Sequence, residues 1–148
     1  MKYFSNLDDG WADLKFGQFQ CRCSYIQNIP SVILNAWEEY QNTGHCIIMI
    51  DGESIEYEII ITEHGIKTFT YDCSGIYYHI SFKDFETHQQ KYQLLKDLVY
   101  DIIDNVDEWA KWLCLCNKND PQYNKVLNRY KQDIYNKAKS LGLELKGE

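Results

Sequence analysis

The sequence lacks any apolar run long enough to cross a bilayer, and its first residues, MKYFSNLDDGW, contain neither the hydrophobic stretch nor the cleavage site of a signal peptide. We therefore expect a cytoplasmic protein with no membrane contact. Six cysteines are present, but a reducing compartment favours free thiols over disulfides. The eight glycines are scattered through turns, so no loop that cradles a phosphate is predicted.

Positive charge is also scarce. The formal net charge is −7, which disfavours nonspecific binding to nucleic acid or to an anionic membrane because both would repel the average surface. The imbalance lies in one part of the chain, since residues 1–116 have a balance of −10 and residues 117–148 a balance of +3. The acidic character therefore belongs to the body of the protein.

The chain of 148 residues, 45% of them hydrophobic, contains only two prolines and no linker, repeat or low-complexity tract. We interpret it as one compact domain, residues 1–148. Apolar and polar residues alternate in four runs that are separated by short, glycine-containing turns, as antiparallel hairpins require. These predicted strands are 45–50, 55–62, 66–72 and 76–82, with a weaker one near 19–25. The prediction is an α+β fold with a four- or five-stranded antiparallel meander and helices packed on one face.

The predicted helices are 31–42, 92–113 and about 121–141, and the second has two chemically opposite faces. Its apolar side contrasts with an outward row of carboxylates, Asp97, Asp101, Asp104 and Glu108, at spacings of four, three and four. At roughly 100° per residue these four carboxylates fall within about 60° of one another. The row is either a solvated helix face or a docking surface for a basic partner.

The third predicted helix is basic and contains tyrosines, so it is the best candidate for contact with nucleic acid. Tyr123 and Tyr130 share the side that is expected to be buried, which leaves mainly lysines on its surface. A nucleic-acid-binding module is therefore an alternative function, and the acidic body makes it the weaker one.

Catalytic and metal sites have little support in the sequence. Cys114 and Cys116 resemble half of a zinc site, but residues two apart on a helix diverge by roughly 200° and converge on one ion only if the helix ends there. A cysteine-dependent hydrolase would use Cys46 or Cys73, and Cys73 has His79 as a candidate base across a hairpin. No recognisable nucleophile motif surrounds either cysteine. We expect no catalytic residues, cofactor, metal or small-molecule substrate.

Three segments carry a family resemblance: 24–30 (SYIQNIP) before a short helix with a glycine exit, 51–57 (DGESIEY) after an apolar strand, and 101–109 (DIIDNVDEW). Together they resemble small bacterial immunity proteins of contact-dependent inhibition and other polymorphic toxin systems. The resemblance spans residues 24–112 and excludes the chain after Asn117.

The resemblance implies a non-enzymatic cytoplasmic protein that binds and neutralises a cognate toxin C-terminal domain, often a nuclease. Charge complementarity to a basic cleft fits that role, because it accelerates association and adds selectivity. The carboxylates predicted to bind the toxin are Glu53, Glu56 and Glu58 of the first hairpin and sheet face, with Asp97, Asp101, Asp104 and Glu108 of the helix. The sequence leaves open whether helix or sheet supplies the interface.

Overall fold

The computed structural model describes residues 1–145, including all of their side chains except those of Ile76 and Tyr77. It is an α+β fold with two antiparallel sheets. The first sheet comprises β1 (Phe4–Asp8), β2 (Trp11–Phe16) and β3 (Phe19–Ser24). After helix α1 (Ile29–Thr43), the second sheet comprises β4 (Cys46–Asp51), β5 (Glu56–Thr62), β6 (Gly65–Asp72) and β7 (Gly75–Phe82). The remaining helices are α2 (His88–Ile103), α3 (Val106–Leu113) and α4 (Tyr123–Ser140).

The four-stranded meander confirms the prediction from period-two alternation. Strand order is β4-β5-β6-β7, and Tyr57 pairs with Thr70 while Ile59 pairs with Thr68. Ile48, Ile59 and Ile61 lie on the buried face at 1% exposure or less. Helix α1 packs beside β4 and α2, so the helices cover this face.

The first sheet was predicted only in its last strand. The turn between β1 and β2 contains Asp9 and Gly10, whose φ values are +47° and +81°, as a tight hairpin turn requires. In β2, Ala12, Leu14 and Phe16 alternate with polar neighbours and are buried. The Asp-Gly dipeptide beside this alternation is the sequence signal that identifies the missed hairpin.

The predicted helix 92–113 is wrong in one respect, because the structure has two helices separated at Asp104 and Asn105. The carbonyl oxygen of Asp101 accepts hydrogen bonds from Asn105 Nδ2 and from the indole Nε1 of Trp109, both at 3.1 Å. These side chains satisfy a carbonyl at the end of α2, so the chain changes direction without leaving that group unpaired. Helix α3 then packs against α4 and β1.

The other two helices lie close to their predicted bounds. Helix α1 begins after Asn28, whose side chain accepts a hydrogen bond from the Ser31 N–H, and it ends at Gly44 in the left-handed conformation with φ of +78°. Helix α4 ends within one residue of the predicted 121–141 and begins two residues later. One hydrophobic core joins both sheets and all four helices, with the indole of Trp109 fully buried in it.

Candidate protein-binding surface

The second sheet has a face that no described element covers, and we call it the open face. Ile47 and Met49 on β4 are 49% and 46% exposed, although each lies between buried neighbours of the same strand. The open face consists of the side chains of Ile47, Met49, Glu56, Glu58, Ile60, Lys67, Phe69, Tyr71, His79 and Ser81, as the strand register places them. Sequence reasoning found its glutamates and missed its apolar residues.

Cross-strand pairing orders the open face into rows. One row runs from Met49 to Glu58, Phe69 and His79 across all four strands. The ring of His79 stacks on that of Phe69, with centroids 4.7 Å apart. In a neighbouring row, Ile47 pairs with Ile60. The open face therefore presents an aromatic pair in one row and an aliphatic pair in the next.

Tyr71 connects the apolar part of the open face to its acidic part. Its ring stacks near Phe69, with centroids 6.1 Å apart, and its hydroxyl donates a hydrogen bond of 3.2 Å to Glu58 Oε2. Desolvation, and then the nearby Glu58 carboxylate, raise the pKa of Tyr71, so the phenol keeps its proton and remains a donor. This contact fixes the position of Glu58 beside the aromatic rings.

Acidic residues concentrate at the end of the sheet where the β4–β5 and β6–β7 turns lie. Asp51 pairs with Glu56 across the strands, and Asp51 Oδ1 accepts a hydrogen bond of 2.7 Å from the Glu53 N–H. In the other turn, the hydroxyl and then the N–H of Ser74 donate to Asp72 and lower the pKa of its carboxyl. The predicted acids Glu53, Glu56 and Glu58 thus belong to one negative end of the open face.

Two backbone groups at one end of the outer edge of β4 have a partner within the molecule. Gln27 Nε2 donates to the carbonyl of Met49 at 2.7 Å, and the Asp51 N–H donates to Gln27 Oε1 at 3.0 Å. One side-chain amide thereby replaces the backbone groups of an additional strand. At Met49 and Asp51 an added strand would therefore have to displace Gln27.

The helix carboxylates do not form the continuous outward row that was expected. Asp101 is 5% exposed, so the prediction that it lies on the outward face is wrong. Its carboxylate accepts the backbone N–H groups of Lys2, Tyr3 and Phe4 at 2.6, 2.6 and 3.0 Å. Asp101 therefore anchors the N-terminal strand, and its burial has no signal in the helical periodicity.

The other three helix acids are at least partly exposed. Asp97 forms an ion pair of 2.7 Å with Lys2 and accepts a hydrogen bond from Gln93. Asp104 lies at the helix break, and Glu108 lies beyond it on α3, where both are exposed. Asp97 and Asp104 line one shallow pocket beside Lys2, whereas Glu108 lies at a different groove, so the four acids do not present one charged stripe.

Glu108 instead borders a groove between the β1–β2 turn and the α3–α4 connection. Asp8 and Asp9 contribute further negative charge to this groove, while Lys111 and Lys118 contribute positive charge. Its apolar lining includes Leu115, which is 72% exposed. The mixed charges make the groove a weaker match for a basic partner than the open face.

Basic residues of α4 contact the acidic body. Lys131 Nζ lies 2.8 Å from Asp107 Oδ1, and Lys137 Nζ lies 2.8 Å from Glu38 Oε2. These two ion pairs hold α4 against α3 and α1. Lys131 and Lys137 therefore have a role within the molecule that requires no nucleic acid.

The candidate nucleophiles are not arranged as a catalytic pair. Burial raises the pKa of Cys46 to about 12, with a smaller contribution from Glu39, so its thiol is protonated at neutral pH. Cys73 lies in the β6–β7 turn, just before Gly75. His79 lies on β7, four residues beyond Gly75, and at the rise of a β-strand this places it about 13 Å from Gly75. The hairpin therefore does not bring His79 to Cys73.

Helix α3 ends at Leu113, so the expected divergence of Cys114 and Cys116 on a helix does not apply. Within residues 1–145, no group of three or more histidine, cysteine or acidic side chains is placed to hold a metal ion. None of the described helices is both long enough and apolar enough to span a membrane.

The chain matches no protein-family model, no curated protein and no solved structure.

Proposed function

We propose that this chain is a non-enzymatic immunity protein, which binds a toxin domain stoichiometrically through the open face and neutralises it. One observation carries the proposal: exposed aliphatic and partly exposed aromatic side chains on the open face adjoin an end of the sheet rich in carboxylates. The family resemblance of residues 24–112 adds the class of partner, a toxin domain with a basic substrate cleft, such as a nuclease.

The apolar part of the open face supports tight binding. Protein interfaces obtain most of their affinity from a few buried aromatic and aliphatic side chains surrounded by a polar rim. Met49 and Phe69 lie in the central row, and Ile60 lies in the neighbouring row. Because these residues project from paired strands, little backbone ordering is required when a partner covers them.

The acidic end supports fast and selective binding. Glu53, Glu56 and Glu58 lie close to Asp51 and Asp72, so their negative potentials add. Such a cluster attracts a basic domain over a Debye length of about 8 Å at physiological ionic strength. An antidote benefits from this because rapid association limits the time for which the free toxin acts.

The test is co-expression and calorimetry with the toxin domain that this proposal expects to be encoded beside this gene. The wild-type chain is expected to rescue growth and form a one-to-one complex. Met49→Lys adds a cation at the β4 end of the row that contains Phe69, and we expect it to weaken binding by about 30-fold or more, the loss typical of an interface hot spot. Leu115→Lys is the matched control, since it makes the same type of change at an exposed apolar residue outside the open face.

Charge reversal tests the acidic end separately. Glu56→Lys combined with Glu58→Lys should lower the association rate more than it raises the dissociation rate, and the difference should shrink at high salt. Failure to rescue growth, together with no detectable complex, would contradict the immunity function. Equal losses in Met49→Lys and Leu115→Lys would place the interface outside the open face.

A further inference from the structure

Strand β7 forms one outer edge of the second sheet, and among the described residues only β6 pairs with it. The outer side of such a strand presents backbone N–H and C=O groups that can pair with a further strand. Proteins usually protect an edge with charged side chains, proline, a bulge or a covering segment. On the opposite edge of this sheet, Gln27 bonds to two backbone groups of β4. The edge of β7 is protected in one part only.

The protected part of β7 is a bulge close to the β6–β7 turn. The pairing advances by one residue in β6, from Thr70 to Tyr71, but by two residues in β7, from Tyr78 back to Ile76. Beyond the bulge, residues 78–82 pair with β6 in regular register. Their sequence, YHISF, contains no proline, lysine, arginine or carboxylate. We call residues 78–82 the free edge.

The free edge has an exposed aromatic residue on the face of the sheet that the helices cover. Tyr78 and Ile80 project to this same face, because residues two apart in a strand do so. Ile80 is 9% exposed, and Thr70, which pairs with Tyr78, is 8% exposed. Tyr78 itself is 55% exposed. It therefore lies at the rim of the core, where more than half of its surface is uncovered.

We propose that two copies of this chain pair antiparallel through their free edges, about a two-fold axis that passes through Ile80. With this centre, Tyr78 lies opposite Phe82 of the second copy. His79 lies opposite Ser81 of the second copy. The register pairs the whole of residues 78–82 and leaves out the bulge, whereas any other centre shortens the pairing or includes the bulge. The exposed tyrosine thereby gains an aromatic cross-strand neighbour.

The charges of the sheet favour a second copy in this orientation. The free edge carries no lysine, arginine or carboxylate, so two copies meet along it without strong repulsion. Antiparallel pairing places the end of one sheet that carries Lys67 and Lys83 beside the end of the other that carries Asp72. Glu63 and Glu86 reduce the positive charge of the lysine end, so the attraction is modest. Parallel pairing would instead align the two acidic ends, which repel.

The size of the contact indicates a weak dimer. A pairing this short buries less than about 1,200 Å² in total, the lower limit for stable complexes, so we expect a Kd between about 10 μM and 1 mM. The two-fold axis is perpendicular to the sheet, so both open faces remain uncovered on one side of the dimer. The dimer therefore requires no toxin and leaves the one-to-one ratio of the proposed toxin complex unchanged.

The experiment is sedimentation velocity on the full-length chain alone, under reducing conditions, from about 10 μM to about 1 mM, the range that a small interface requires. We expect a reversible monomer–dimer equilibrium. Tyr78→Lys adds two cations to each dimer and should raise the Kd of the dimer by about 30-fold or more. Ile26→Lys is the matched control, because Ile26 is also 55% exposed but lies after the end of β3. It should leave the equilibrium unchanged.

Hydrogen exchange of the wild-type chain locates the contact without any substitution. Backbone amides of residues 78–82 should exchange more slowly as the protein concentration rises. A monomer at every concentration would overturn the proposal, and so would a dimer without this added protection. A dimer that is lost in Met49→Lys and kept in Tyr78→Lys would pair through the open faces, which also contradicts it. Rescue of growth from the toxin is measured separately, so failure of one proposal is distinguished from failure of the other.

Discussion

Asp101 is the residue whose replacement most sharply tests how the N-terminal strand is held. Its two carboxylate oxygens accept three backbone N–H groups, from Lys2, Tyr3 and Phe4, and its side chain is buried. Asp101→Asn preserves the shape of the side chain but removes its charge. It also replaces one acceptor oxygen with an NH2 group, which faces at least one of these donors.

The magnitude follows from the three contacts. A hydrogen bond to a charged group contributes about 1.5–3 kcal/mol, and an unsatisfied buried donor costs about 1–3 kcal/mol. The amide keeps one good acceptor, so we expect a loss of about 3 kcal/mol rather than the full sum. For a domain of this size, that loss corresponds to a decrease in Tm of roughly 6–12 °C.

The assay is thermal and urea unfolding of Asp101→Asn beside Glu108→Gln, which neutralises an exposed acid in the same sequence row. The control should lose less than about 1 kcal/mol, because Glu108 contributes only to the helix N-terminal electrostatics. Equal stability of Asp101→Asn and the wild type would refute the assigned anchoring role. So would a loss in Glu108→Gln as large as that in Asp101→Asn.

Four further outcomes are expected. Lys91 is 3% exposed and donates to the carbonyls of Thr62 and Glu63 at 2.9 and 3.1 Å. Lys91→Met should therefore lower the free energy of unfolding in urea by about 2 kcal/mol. An unchanged value would contradict the role of Lys91 in joining α2 to the β5–β6 turn. A methyl group at Gly52 would lie 2.9 Å from the carbonyl oxygen of Ile55, so Gly52→Ala should lose about 1–3 kcal/mol in the same assay, and no loss would mean that the turn relaxes freely. Lys131 lowers the pKa of Asp107, so the pair should stabilise the fold above about pH 4 and lose that effect as the pH falls through the folded pKa. Because the site is exposed, Asp107→Asn should lower the free energy of unfolding by at most about 0.5 kcal/mol at neutral pH and should have no effect at high salt. Alkylation at mildly alkaline pH should modify exposed Cys73 in the native state and Cys46 only after unfolding; rapid native labelling of Cys46 would contradict its burial.

The sequence predicted the second sheet well because its strands alternate regularly and glycine marks each turn. In the first sheet, β1 gave little signal because it is short and only Phe4 in it is fully buried, whereas the alternation of β2 was present in the sequence and was not recognised. The Asp9-Gly10 turn was the available local signal. Local pattern therefore determined what could be predicted, and short strands with few buried residues gave too little of it.

The helix break could not be predicted from periodicity. Apolar residues continue at helical spacing through Ile102, Val106 and Trp109, on both sides of the break. The break is accompanied by side-chain hydrogen bonds from Asn105 and Trp109 to the carbonyl of Asp101, which only the folded structure reveals. Such contacts leave no mark in the spacing of the helix itself.

The candidate site was predicted in part. Glu56 and Glu58 were assigned to the outward face of β5, and the register places them there. Ile47 and Met49 were missed as surface residues, because an uninterrupted apolar strand is typical of one buried on both faces. Only the tertiary structure distinguishes a strand covered twice from one that leaves an apolar face for a partner.

The central claim is that the open face binds a basic toxin domain without catalysing a reaction. The most direct measurement is calorimetric titration of the toxin domain that the proposed function expects beside this gene with the wild-type chain, Met49→Lys and Leu115→Lys. The account predicts one-to-one binding that is retained in Leu115→Lys and weakened by about 30-fold or more in Met49→Lys. Undiminished affinity of a folded Met49→Lys variant would contradict it.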